Sequence, residues 1–112
     1  GTAALYASTL MTAKSLDLYE DLIGELEQSQ AGTLAAMNSV NTVSSKAFRW
    51  IGEMDEIAAT FGDAGTTSKI HEGASETFQQ IAVSSIGHER VDSIDKSRSL
   101  EDSIAAMLKR AD

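Results

Sequence analysis

Apolar residues recur at steps of three and four along most of the chain, which is the spacing of α-helices. The clearest run is Lys46 to Phe61, where Ala47, Trp50/Ile51, Met54, Ile57/Ala58 and Phe61 form one stripe. This run carries the only Trp and two of the three Phe, so it predicts a central core helix. Arg49 and Glu53 stand four apart and can pair along its side. Gly1 to Leu16 predicts a first helix that is apolar on more than one side, through Ala4, Leu5, Ala7, Leu10 and Met11. Asp17 interrupts, and Leu18 to Gln30 predicts a second helix with Leu18, Leu22, Ile23 and Leu26 inward. After a break at Ser29–Gly32, Thr33 caps an intrinsically weak third helix with Leu34, Met37, Val40 and Val43 at helical spacing. Ser44 or Ser45 is the expected N-cap of the central helix, which ends between Gly62 and Gly65.

A fifth helix is predicted from Ser68 to about Ser84, with Ile70, Ala74, Phe78, Ile81 and Ala82 as its stripe. Ile86 to Lys96 is polar, broken by Gly87 and without helical period, so it reads as an extended connection. Ser97 or Ser99 caps a last helix with Leu100, Ile104, Met107 and Leu108 inward. No period-two run suggests a strand. The expectation is a single all-α domain over residues 1–112, a multihelical bundle of about six helices. A buried helix at the very start suggests a piece of something longer.

Charge and composition narrow the partners. Seventeen acids against nine Lys and Arg leave a net charge of −8, which opposes nucleic-acid and anionic-membrane partners. There is no Cys, hence no disulfide framework and no thiolate metal site. No apolar run approaches the roughly 20 residues needed to span a bilayer. No glycine-rich dinucleotide fingerprint is present, since Gly62, Gly65 and Gly73 follow no strand. His71-Glu72 and His88-Glu89 invite a metal reading, but neighbours on a helix point apart and no third ligand has a helpful spacing. Lys46, Arg49 and His71 are the candidate site: together they would put positive charge in an acidic domain, suited to a carboxylate or phosphate. The competing reading pairs Arg49 with Glu53 or Glu56 and leaves Lys46 to solvent. Many Ser occur, but no Ser-His-acid arrangement can be placed from spacing.

The run KAFRWIGEMDEIAATF, followed by IHEGASETFQQIA, resembles the C-terminal all-helical domain of phosphogluconate-dehydrogenase-like NAD(P)-dependent oxidoreductases. The likeness is to a poorly characterised branch of the β-hydroxyacid dehydrogenase superfamily. It implies a domain that completes the substrate cleft and forms a homodimer, behind an N-terminal Rossmann domain absent from this chain. It further implies a cytoplasmic protein, a small acidic substrate, and NAD or NADP bound by the full-length protein but not by this chain. Gly1 aligns with the last residue of the family's Thr-Lys-Gly motif, and Lys14 does not match the catalytic Lys, so no catalytic residue is carried over. Ser44-Ser45 stand where prolines are often found in the family. The alternative from a different class is a free-standing helical homodimeric interaction module without catalysis.

Overall fold

A computed structural model describes all 112 residues. It is all-helical: α1 Thr2–Ser15, α2 Tyr19–Ser29, α3 Ala31–Met37, a 3₁₀ helix Asn38–Ser45, α4 Ala47–Asp63, α5 Lys69–Ala82 and α6 Leu100–Met107. The expected bundle of six α-helices is therefore present, with no strand beyond one isolated bridge between Ser84 and Arg110. No helix is long and apolar enough to cross a membrane.

The side chains at the centre come from four elements. Leu10 of α1, Val40 and Val43 of the 3₁₀ helix, Phe78 and Ile81 of α5, and Ile104 and Met107 of α6 are all sealed from solvent. The Lys46–Phe61 stretch is not that centre. Its helix α4 lies on the flank, antiparallel to α5, and buries mainly Ala47, Met54 and Ala58. Trp50 is half-buried, tilted against Phe78 with ring centroids 5.3 Å apart, while Phe48 and Phe61 are exposed. Of the predicted stripe, Ala47, Met54 and Ala58 are buried and Trp50, Ile51 and Ile57 pack half-buried against the core, while Phe61 at its end is exposed. In α5, Ala74, Phe78 and Ile81 are buried as expected, whereas Ile70 is 64% exposed.

Helix ends explain the joints. After α1, the Leu18 amide donates to the Ala13 carbonyl and the Asp17 amide to that of Lys14. This is a Schellman stop, with Asp17 rather than glycine in the left-handed conformation at φ 62°. The α4 stop has the same pattern, from Thr66 to Phe61 and from Gly65 to Gly62, and here the φ of +87° falls on a glycine. The break after α2 is a single residue, Gln30, so α3 starts at Ala31 and Thr33 does not cap it.

The third predicted helix changes character halfway. From Asn38 onward it tightens to 3₁₀, and the sequence matches that three-residue period on two edges. Met37, Val40 and Val43 are buried on one. On the other, the hydroxyls of Ser39, Thr42 and Ser45 donate to the carbonyls of Ala36, Ser39 and Thr42, each three residues back. Ser45 is therefore occupied, Ser44 bonds elsewhere, and Lys46 takes the N-cap position of α4 without a side-chain cap.

Residues 83–99 form a chain of tight turns rather than an extended connection. Gly87 allows this, because a Cβ there would sit 2.0 Å from the Ala82 carbonyl oxygen. Ser99 then caps α6 as expected, accepting from the Asp102 amide. Lys14 of α1 reaches Glu101 of α6 at 2.8 Å.

Candidate functional site

Helices α1 and α5 both begin at one end of the molecule, and a groove of about 520 Å³ lies between their first turns. Gly1, Leu5 and Ser8 line it from α1; Ile70, His71 and Ala74 face them from α5. The His71 ring is fixed between the two. Its Nε2 edge faces Gly1, close enough that a Cβ on that residue would lie 3.4 Å away. On the α4 side the ring meets Phe61 edge-on, with centroids 4.5 Å apart. The Nδ1 atom is buried and has no hydrogen-bond partner in the protein. An imidazole fixed in this way, with Leu5 and Ile70 each 64% exposed as rims, offers one polar group in a mostly apolar recess.

The three candidate residues do not converge. His71 packs on Phe61, near the end of α4, whereas Lys46 and Arg49 sit at its beginning. Twelve residues of helix separate Arg49 from Phe61, about 18 Å along the axis. Lys46 lies over the Trp50 ring at 6.0 Å, and Arg49 is exposed, its guanidinium in neither an ion pair nor a hydrogen bond within the chain. The anticipated pairing of Arg49 with Glu53 or Glu56 is not formed. Between Lys46 and Arg49 in sequence, the exposed Phe48 ring carries the Arg90 guanidinium at 3.8 Å.

A second polar cluster lies in the body of the fold. Glu89 is 5% exposed and accepts from both terminal nitrogens of Arg98, each at 2.8 Å. It also accepts from the Ser44 hydroxyl at 2.6 Å. Arg98 donates through Nε to Ser103, Ser103 donates to Asn41, and Asn41 returns a bond to the Arg98 carbonyl. The Arg98 hydrogen bonds hold the Glu89 carboxyl well below its ordinary value of 4.5, at about 2, against the opposing effect of burial. With every partner satisfied inside the protein, this cluster is a structural clamp, and Glu89 has no free oxygen for the metal reading of His88-Glu89.

The chain matches the family model described as a domain of unknown function, DUF1932, over residues 13–81. The chain belongs to that family. No curated protein and no solved structure matches it. The DUF1932 match runs from the end of α1 through α5, so it includes Lys46, Arg49 and His71. It leaves out the first turns of α1 that form the other wall of the groove, and also Glu89 and Arg98. Neither Leu5 nor Ile70 drew notice as a site residue, because only the fold sets the first turns of α1 and α5 side by side. The clamp leaves no periodic signal, since Ser44 is far from Glu89 in sequence and Glu89 and Arg98 lie on turns without a repeat.

Proposed function

We propose that this chain is the C-terminal substrate-cleft and dimerisation domain of an NAD(P)-dependent dehydrogenase acting on a small hydroxy acid. The DUF1932 match over 13–81 and the resemblance carried by Lys46–Phe61 support the reading. The observation that carries the substrate half is the His71 groove, placed against Gly1, the residue that the resemblance sets next to the catalytic Lys of the family. His71 presents Nε2 to a substrate oxygen, and Leu5 and Ile70 flank the apolar part of the molecule. Lys46 and Arg49 lie too far along α4 to share that substrate, so they are not assigned to it.

The chain's own residues do not fit a dinucleotide. A nicotinamide cofactor needs a strand, a glycine-rich turn and a helix, and this fold is helical throughout. The reading therefore puts NAD or NADP on a separate Rossmann domain. In the dehydrogenase carrying this domain, His71→Ala should raise KM for an acidic substrate by about tenfold or more, a loss on the order of one hydrogen bond to a charged group. Arg49→Gln should leave KM unchanged. Calorimetric titration of the 112-residue chain should show no NADH or NADPH binding. A native gene product of this length alone, or a full-length protein without hydride transfer, overturns the reading.

A further inference from the structure

The substituent of an acid must suit the walls that hold it, and the walls of the His71 groove carry almost no charge. None of the ten residues lining it is Asp, Glu, Lys or Arg, and His71 is its one ionisable side chain. Lys69 and Glu72, on either side of Ile70 and His71 in sequence, line a different recess with Asp55 of α4. Lys14 lies in the last turn of α1, paired with Glu101. The one formal charge at the groove is the Gly1 amino group, which acylation removes. Hydroxyls are scarce too. Thr77 donates its own to the Gly73 carbonyl at 2.9 Å, which leaves those of Thr2 and Ser8 on α1. Apolar surface is plentiful: Leu5 and Ile70 stand on facing walls, each 64% exposed. The volume of about 520 Å³ leaves room for a hydrocarbon branch between them.

Building on the substrate half of the proposed function, we infer that this groove selects a monocarboxylic hydroxy acid with a branched aliphatic substituent. It rejects phosphorylated and polyhydroxylated acids. A single carboxylate finds its hydrogen bond at His71. Nδ1 of that ring is buried without a partner, and a buried N–H without an acceptor is rarer than a bare acceptor. The neutral ring therefore carries its proton on Nε2, where it can be donated.

A phosphate or a second carboxylate would leave water for walls that hold no cation, and burying a charge without a counter-charge is costly. A sugar acid brings several hydroxyls to a groove with few groups to meet them, and each one left unmet weakens binding. A branched hydrocarbon gains instead, because it and the side chains of Leu5 and Ile70 leave water together. Leu5 and Ile70 are thus specificity-determining residues: they touch the substituent and not the reacting carbon.

The test is methyl NMR of Leu5 and Ile70 in the 112-residue chain, with Gly1 acetylated so that its amino group adds no charge. The probes are β-hydroxyisocaproate, gluconate and phosphogluconate. Each is titrated to about 20 mM, since ligands this small bind one wall of a cleft at millimolar strength. β-Hydroxyisocaproate should shift both sets of methyl signals and the His71 ring signals, with an affinity about tenfold or more above either sugar acid. Ile70→Arg should reverse the order of β-hydroxyisocaproate and phosphogluconate, with an unchanged thermal melt because the position is exposed. Leu5→Ser should weaken β-hydroxyisocaproate alone. Equal or stronger shifts from a sugar acid overturn the inference, as does an unchanged order in Ile70→Arg or silence from all three probes. None of these readouts needs hydride transfer. A full-length protein that binds the branched acid without oxidising it overturns the dehydrogenase reading and leaves the preference of the groove standing. One that oxidises a sugar acid by preference keeps that reading and overturns the inference.

Discussion

Helix α4 and the turns of residues 83–99 are each 17 residues long, and they are held in opposite ways. Helix α4 is attached along its whole length, by a row of small apolar contacts against α5 and one aromatic contact between Trp50 and Phe78. The turns are attached at points: the Glu89–Arg98 pair, the Ser44 hydroxyl, and Gly87 pressed on Ala82. Distributed attachment tolerates the loss of one contact, while point attachment fails when its point is removed. The same contrast governs how visible each region is in sequence, because a row leaves a period and a point does not.

Substitutions can break this comparison. The largest loss is expected where the row on α5 meets the centre: Phe78→Ala should cost about 3–5 kcal/mol, as for a fully buried aromatic. Trp50→Ala, on the half-buried flank, should cost clearly less in the same denaturant melts. Equal losses would return α4 to the centre of the fold.

Next comes the clamp. Arg98→Gln leaves a buried carboxylate with only Ser44 and the Asp95 backbone, and should cost about 2–4 kcal/mol at pH 7. The pH dependence has a definite sign. Glu89 is held down to about 2 in the folded chain, so its contribution is complete above its ordinary 4.5 and is lost as pH falls from there toward 2. Glu89→Gln should flatten that acid limb, read as melts at pH 6 and pH 3. A limb of unchanged slope would mean that Glu89 does not hold the turns.

Gly87→Ala tests the other point. The added methyl meets a backbone carbonyl that cannot rotate away, so a loss of about 1–3 kcal/mol is expected, with α5 and α6 shifting apart. The smallest effect is a gain. Asp17 occupies a left-handed position that glycine adopts freely, and Asp17→Gly should stabilise by up to about 1 kcal/mol. The same substitution applied to the already suitable α4 stop is impossible, since Gly65 stands there.

Rows were legible in the sequence, and so was one local signal. The stripe of α5 from Ala74 onward, that of α6 and the Ser99 cap lie where spacing put them, with Ile70 as the exception. The stripe on α4 is legible too, since Ala47 through Ala58 face the core as spacing requires, but spacing does not tell that Phe61 in the last turn lies exposed or that the helix sits on the flank. The 3₁₀ helix was written in the period of Met37, Val40 and Val43, which over so few residues resembles an α-helical step. For the candidate site, the sequence singles out His71 by its chemistry, but its position matters because α1 and α5 begin together. Lys46 and Arg49 do not share its place. Neither the partners of Glu89 nor the groove rims could be paired without the fold, since Ser44 and the rims lie tens of residues from their partners and Arg98 is reached from Glu89 through irregular turns with no period.

The isolated bridge at Ser84 and Arg110 has a further consequence for motion. The Ser85 amide donates to the Lys109 carbonyl, the Ala111 amide to that of Val83, and the Ser85 hydroxyl to the Ala106 carbonyl. These bonds tie the end of α6 back to the end of α5, so the turns and α6 form a loop that starts and closes at one place, with α6 packed on the core. A segment closed at its own base opens as a unit. Protons on the Ser85, Ala111 and α6 amides should therefore exchange with deuterium at one shared rate, slower than those of the exposed turns at Arg90–Ser93 and faster than those around Phe78.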